Sequence, residues 1–290
     1  LSSDGKTTIV DNMYAADYII VVTGAHDEGE GADRSDLRVF EDTKVQEALK
    51  VTTAKTIVLY SGGSASIPGN WSNAPAILVC FGPGQQQGYS MADVIFGDVC
   101  PGGKLNMTFP KTESQTANFK FESGTNNLQY GKPEVAHGYF KVDASGEEPL
   151  FAFGHGLSYT TFSYSNLEVY PSKIKKGDRI YVTVDVSNTG DVKGDEVVQL
   201  YLSLPTGTVP VRKQDLRGFD RITLDPGQKE KVRFTLDPED MSYFKVGAQE
   251  FDGSGKWDIL TGTYKVRVGT SSKITPAPAE PSLSGSFTVN

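Results

Sequence analysis

Cysteine is nearly missing from this chain: Cys80 and Cys100 are the only two in 290 residues. A disulfide framework or a cysteine-rich metal centre is therefore excluded, and no other residue pattern calls for a metal or a cofactor. The two thiols are not expected to pair with each other. Cys80 ends an apolar run, and Cys100 follows a helical stretch of about ten residues, which spans roughly 15 Å against the ~5.5 Å Cα separation of a disulfide. Both are expected to be buried thiols. Long hydrophobic runs are also lacking: none approaches the roughly 20 residues of a membrane helix. The opening residues, Leu1-Ser2-Ser3-Asp4-Gly5-Lys6, have no apolar core of the signal-peptide kind. Positive charge is the minority sign, with 28 Lys and Arg against 36 Asp and Glu and a net charge of −8. No basic stripe exists to neutralise phosphates, which excludes nucleic acid as a natural partner. Gly82-Pro83-Gly84 lacks the glycine spacing and the Lys-Ser/Thr of a phosphate loop.

What remains is a globular, loop-rich chain with 38% apolar residues and 31 glycines. Its first part alternates strand and helix. Residues 11–16 read as the end of a helix. Tyr18–Gly24 is a strand whose run Ile19-Ile20-Val21-Val22 suggests burial on both faces. Val39–Ala54 is a helix with Val45, Ala48, Leu49 and Thr52 at helical spacing. Thr56–Tyr60 and Ala76–Phe81 are further buried strands, a second helix runs through Met91, Val94 and Ile95, and Lys104–Phe109 is an edge strand. This order predicts a parallel sheet with helices on both faces, a partial doubly wound α/β layer that starts on a half-unit. Residues 111–149 show no strong period. From Phe162 the period becomes two, with runs at Ile180–Val186, Val197–Leu202, Val232–Leu236 and Tyr264–Val268 separated by turns such as Asp225-Pro226-Gly227. That pattern predicts an antiparallel β-sandwich. The expected domains are 1–118 (α/β), 119–161 (irregular loop and linker) and 162–290 (all-β). Phe151, Phe153, Tyr159 and Phe162 are expected to be buried near their junction.

The chemistry-bearing stretch is Asp27-Glu28-Gly29-Glu30-Gly31-Ala32-Asp33-Arg34, directly after the first strand. In open α/β sheets, ligands meet the protein beyond the carboxyl ends of the strands. Gly29 and Gly31 flank Glu30 and free the backbone there to present its carboxyl group. Arg34 can fork onto Asp33 and brace the loop. The alternative is a solvated acidic loop, with Ser35 or Asp36 capping the next helix. His155 reads as a structural hydrogen-bonding residue rather than a catalyst. Tyr139 and Phe140 are candidates for substrate contact by stacking, and burial of both rings is an equal expectation. Asn70-Trp71-Ser72 and Asn106-Met107-Thr108 have the form of glycosylation sequons, the second within the expected edge strand.

Gly29-Glu30-Gly31-Ala32-Asp33-Arg34, with Leu37 following, resembles the acid/base loop of family 3 glycoside hydrolases. Phe81-Gly82-Pro83-Gly84 through Gly88, and Gly97-Asp98 through Pro101-Gly102-Gly103-Lys104-Leu105 to Pro110, resemble that family's turns around its next helix. Leu150-Phe151-Ala152-Phe153-Gly154-His155-Gly156-Leu157-Ser158-Tyr159-Thr160 resembles its linker, with Ala152 in a place usually held by proline. Asp215-Leu216-Arg217-Gly218-Phe219, before Leu224-Asp225-Pro226-Gly227, resembles the fibronectin type III-like domain that ends many members.

The resemblance implies a flavodoxin-like α/β sandwich followed by a fibronectin type III-like domain. It also implies a retaining β-glucosidase as the parent enzyme, with β-xylosides as the alternative substrates. Glu30 matches the general acid/base, and Glu28, standing where a small hydroxyl residue is usual, competes with it. The nucleophilic aspartate of such enzymes lies in a barrel domain that no part of these residues resembles, so a barrel domain or chain is the implied partner. The implied substrate is a β-glucoside or oligosaccharide, and the setting is secreted, periplasmic or extracellular. A non-catalytic carbohydrate-binding or interaction module of the same architecture is the competing expectation.

Overall fold

In a computed structural model of the chain, the structure describes residues 13–24, 37–38, 42–52, 55–82, 84–116, 120–121, 128–129, 137–206, 212–245, 255–274 and 280–290. The chain divides into two units. The first is made of residues 1–99, 107–116 and 148–151, and the second of 100–106, 117–147 and 152–290.

Parallel strands β1 (Ile19–Thr23), β2 (Thr56–Ser61) and β3 (Ala76–Cys80) form the sheet of the first unit, in the order β1-β2-β3. Helix α1 (Asp42–Val51) connects β1 to β2 and buries Val45 and Ala48 completely. Its apolar spacing places both on one face, one turn apart. A short 3₁₀ turn, Asn70–Asn73, lies on the crossover from β2 to β3, and α2 (Gln87–Phe96) follows β3. Gly97 ends α2 in the left-handed conformation at φ 83°, as a helix-terminating glycine does.

Two strand expectations are corrected. Of the three strands of this sheet only β2, flanked on both sides, is buried along nearly its whole length; β3, expected to be buried, is exposed at Ala76 and half-buried from Ile77 to Cys80. β1 alternates, with Ile19 and Val21 buried but Ile20 and Val22 48% and 51% exposed. The exposed pair, with Leu59 and α2's Met91, Ile95 and Phe96, lines an open apolar groove of about 380 Å³. Lys104–Phe109 is not a strand. Its polar backbone is satisfied at separate points instead: Leu105 N–H donates to His155 O, Gly154 N–H to Leu105 O, and Phe109 N–H to Phe151 O. The second sequon accordingly lies outside any strand, at a bend of the chain. Both thiols are free, as expected, but only half-buried.

In the second unit, β4 (Phe162–Tyr170), β6 (Ile180–Asn188) and β9 (Lys229–Leu236) form one sheet in the order β9-β6-β4. The other contains β8 (Asp215–Leu224), β7 (Gly194–Ser203), β10 (Gly262–Gly269), β11 (Ser282–Val289) and the short β5 (Lys173–Ile174). The period-two pattern puts Val182, Val184, Val186, Leu200, Leu202, Val232, Phe234, Leu236, Val266 and Val268 in one core. Burying each such side chain contributes about 1.5–3 kcal/mol. Tyr264 and Phe287, opposite each other on β10 and β11, stack with ring centroids 5.0 Å apart. A separate hairpin pairs Ser242–Lys245 with Lys256–Ile259. The aromatics expected at the junction differ among themselves. Phe151, Phe153 and Phe162 are half-buried, whereas Tyr159 is 51% exposed.

The stretch 111–149, which shows no strong period, holds a helix, α3 (Gly138–Ser145). It is two turns long and begins without a side-chain cap. Its strongest local signal is Gly146 in the left-handed conformation just past its end.

Candidate active site

The acidic stretch Asp27–Arg34 follows β1 in the sequence. Its N-terminal root is Gly24, at φ 157°, where an added Cβ would stand 1.5 Å from the Ser61 carbonyl oxygen. Only glycine allows that approach. Ser61 Oγ accepts from Gln87 Nε2 at 3.1 Å, and the Tyr60 hydroxyl donates to Ser64 O at 2.8 Å. Glu28, Glu30, Asp33 and Arg34 lie outside the described residues. Beyond them, Leu37 O accepts from Ile67 N–H at 3.0 Å. Asp42, at the start of α1, accepts from the backbone N–H groups of Asn70 and Trp71, each at 2.9 Å, and from Asn70 Nδ2 at 2.6 Å. Beneath this crossover, Trp71 is fully buried. Its ring centroid lies 5.2 Å from Tyr60, 6.1 Å from Phe109 and 6.3 Å from Phe151. Aromatic clusters in these tilted and edge-on arrangements are stiff as well as apolar.

Tyr139 and Phe140, the stacking candidates, sit on α3 in the second unit, both half-buried. The rings lie 4.2 Å apart, and Tyr139 is 5.1 Å from Phe153. The Tyr139 hydroxyl accepts from Leu216 N–H at 3.1 Å, and burial pushes its pKa up to about 12. The Arg212 guanidinium lies 3.9 Å from the centre of the Phe140 ring. His155 Nδ1 pairs with Glu280 at 2.9 Å, and this hydrogen bond holds the Glu280 carboxyl below its usual range. That is a structural role. Among the described residues, no group of three or more His, Cys, Asp or Glu is placed to hold a metal ion.

Sequence reading missed the polar seat of α3. Gln214 Nε2 donates to Asp143 at 2.9 Å and to Ser272 O at 2.6 Å, while its Oε1 accepts from Arg267 at 2.8 Å. Arg267 lies over the Tyr201 ring at 4.5 Å. Burial pushes the Asp143 carboxyl up to about 6, against the Gln214 hydrogen bond and the charges of Arg267 and Lys213. A carboxyl raised on folding stabilises the fold fully below its unfolded pKa of about 3.9, and that contribution is lost as pH rises through 6. Asp143→Asn is therefore expected to gain stability over the parent above pH 6, on the order of 1 kcal/mol after solvent screening. Thermal melts of both proteins from pH 4 to 7 check this, and parallel curves would contradict it.

Comparison with known proteins decides the family of the chain. Residues 3–159 match the glycosyl hydrolase family 3 C-terminal domain, and residues 196–272 the fibronectin type III-like domain. The chain belongs to glycosyl hydrolase family 3. Its similar family members include thermostable beta-glucosidase B of Acetivibrio thermocellus, 33% identical over 265 residues, covering 89% of this chain and 34% of that protein. The beta-xylosidase of Formosa agariphila is 34% identical over 94% of this chain and 36% of its own length. Among solved structures, the beta-glucosidase of Kluyveromyces marxianus in complex with glucose superposes with a TM-score of 0.82 at 31% identity, over 97% of this chain and 33% of that one. The beta-D-glucoside glucohydrolase of Trichoderma reesei gives 0.79 at 28% identity, over 97% and 42%. The chain spans about a third of the length of the curated relatives it matches. Its architecture is the family's C-terminal α/β domain followed by the fibronectin type III-like domain.

Proposed function

We propose that this chain supplies the general acid/base, Glu30, to a retaining β-glucosidase whose nucleophilic aspartate lies on a barrel domain outside these residues. The observation that carries it is the Gly29-Glu30-Gly31-Ala32-Asp33-Arg34 run, within the matched family 3 domain and rooted at the carboxyl end of β1. Retaining hydrolysis needs two carboxyl groups about 5–5.5 Å apart on the scissile bond. Glu30, protonated, donates to the glycosidic oxygen as the bond to the anomeric carbon breaks and the aspartate captures the sugar. As carboxylate, Glu30 then removes a proton from the water that releases it. The charge on the nucleophile raises the pKa of Glu30 for the first step, and its neutralisation in the covalent intermediate lowers it for the second. Asp33 and Arg34 brace the loop rather than react. The substrate is a terminal β-D-glucosyl residue; similarity to the Formosa agariphila beta-xylosidase keeps β-xylosides as a second reading.

It follows that the 290-residue chain by itself turns over aryl β-glucosides negligibly, because it offers one carboxyl of the required pair. Assay of the purified chain, checked by mass for contaminating longer enzyme, tests this. Measurable turnover would show that the chain carries a complete site.

A further inference from the structure

Strand β1 has the sequence of an interior strand yet stands at an edge of its sheet. Ile19-Ile20-Val21-Val22-Thr23 contains no charge and no proline, and its register with β2 runs without a bulge. Natural sheet edges are ordinarily blunted by one of those devices. Among the described residues, β1 pairs with β2 alone.

One face of the sheet is open at the same strand. Parallel sheets carry helices on both faces. α1 covers the first face, where Ile19 and Val21 are buried. On the other face, α2 buries Met91 near Leu59 of β2 but leaves Ile20 and Val22 of β1 half-exposed. The apolar groove of about 380 Å³ lies here, bounded at the end of α2 by Phe96, which is 80% exposed. Edge and face are thus unfinished together at β1, whereas β3, at the opposite edge, is half-buried from Ile77 to Cys80. The coincidence has a geometric reading. Helices pack about 8–10 Å apart and strands about 4.7–4.9 Å. A helix beside α2 would therefore lie over β1 and over one more strand added to its edge.

We propose that the outer edge of β1 and the groove beside α2 together receive a further strand-and-helix unit of the same α/β layer, supplied by a part of the parent polypeptide outside these residues. Its strand pairs with β1, and the apolar stripe of its helix covers Ile20, Val22 and Phe96. The matched relatives have the length for it, since this chain spans about a third of them. A second copy of the chain fits less well. A stable interface buries about 800 Å² per partner, and the groove, with Leu59 and Met91 already buried, offers well short of that. The proposal rests on reading the chain as part of a longer enzyme, and not on the assignment of Glu30.

Two measurements test it. Amide exchange of a peptide spanning residues 18–23 is expected to be slower by about tenfold or more in the assembled enzyme than in the 290-residue chain, with the sandwich peptides unchanged. Equal exchange in β1 would overturn the proposal. In the assembled enzyme, Phe96→p-benzoylphenylalanine is then irradiated and its crosslinked peptides are identified by mass spectrometry. The crosslinks are expected in one stretch outside these residues, with apolar side chains at helical spacing. Crosslinks to a second copy, to the barrel that carries the nucleophile, to this chain alone, or none at all, would overturn it. Turnover by the purified chain would instead strike the reading of a longer enzyme, whatever the crosslinks show.

Discussion

Glu30→Gln in the assembled enzyme is expected to lower kcat/KM for alkyl β-glucosides by about 10²–10⁴-fold, the usual worth of general acid/base catalysis. The substitution keeps the size of the side chain and removes its proton. Substrates with an activated leaving group need little protonation, so their kcat/KM, which reports formation of the covalent intermediate, should change little. Their kcat should fall, because water then lacks a base and the intermediate accumulates. Glu28→Gln in parallel is expected to cost little on either substrate. The competing expectation, a non-catalytic module in which Glu30 only hydrogen-bonds sugar, predicts weaker binding with no difference between leaving groups. Steady-state kinetics across a series of aglycones separates the two.

The largest expected effect on stability lies in the second unit. Lys104 Nζ donates to Gly156 O at 2.8 Å and to Glu196 Oε2 at 3.2 Å, while Tyr164 donates to Glu196 Oε1 at 3.0 Å. The side chains of Lys104 and Glu196 are 10% and 3% exposed. Burial raises the Glu196 pKa even though Lys104 and Tyr164 act to lower it, so the pair is held against a real desolvation cost. Lys104→Met would leave the carboxylate with Tyr164 alone. Removing one partner of a buried pair costs about 3–5 kcal/mol, a large share of the ~5–15 kcal/mol of a typical domain. The sign with pH follows from the same group. Without Lys104 the Glu196 pKa rises further, so the penalty should be largest at neutral pH and shrink as acid protonates the carboxyl. Glu196→Gln in the Lys104→Met background should recover much of the loss. Guanidinium unfolding at pH 7 and pH 5 measures both effects. A loss below about 1 kcal/mol, the range of an exposed pair, would contradict this account.

Local pattern made much of this architecture legible. Val45 and Ala48 declared the buried face of α1, the run Thr56–Tyr60 a buried strand, and the alternation of Val232, Phe234 and Leu236 one inner face of the sandwich. What stayed hidden depends on partners distant in sequence. Whether Ile20 and Val22 are covered is decided by what packs on β1, and Lys104–Phe109 alternates like a strand yet bonds at isolated points to residues 151–155. α3 has weak local signals and is held by Tyr139 to Leu216 and by Asp143 to Gln214. The glutamate between two glycines was visible at once because its spacing is local. The Asp42 contact with Asn70 and Trp71 spans a crossover that no local period reveals.

Azide tests the acid/base assignment most directly. A small anion needs no general base, so it can enter the space left by the missing carboxylate and attack the covalent intermediate. Added to Glu30→Gln turning over an activated β-glucoside, azide is expected to raise kcat and to yield β-glucosyl azide with retained configuration. No azide product from Glu30→Gln, or rescue by azide in Glu28→Gln instead, would contradict the assignment of Glu30.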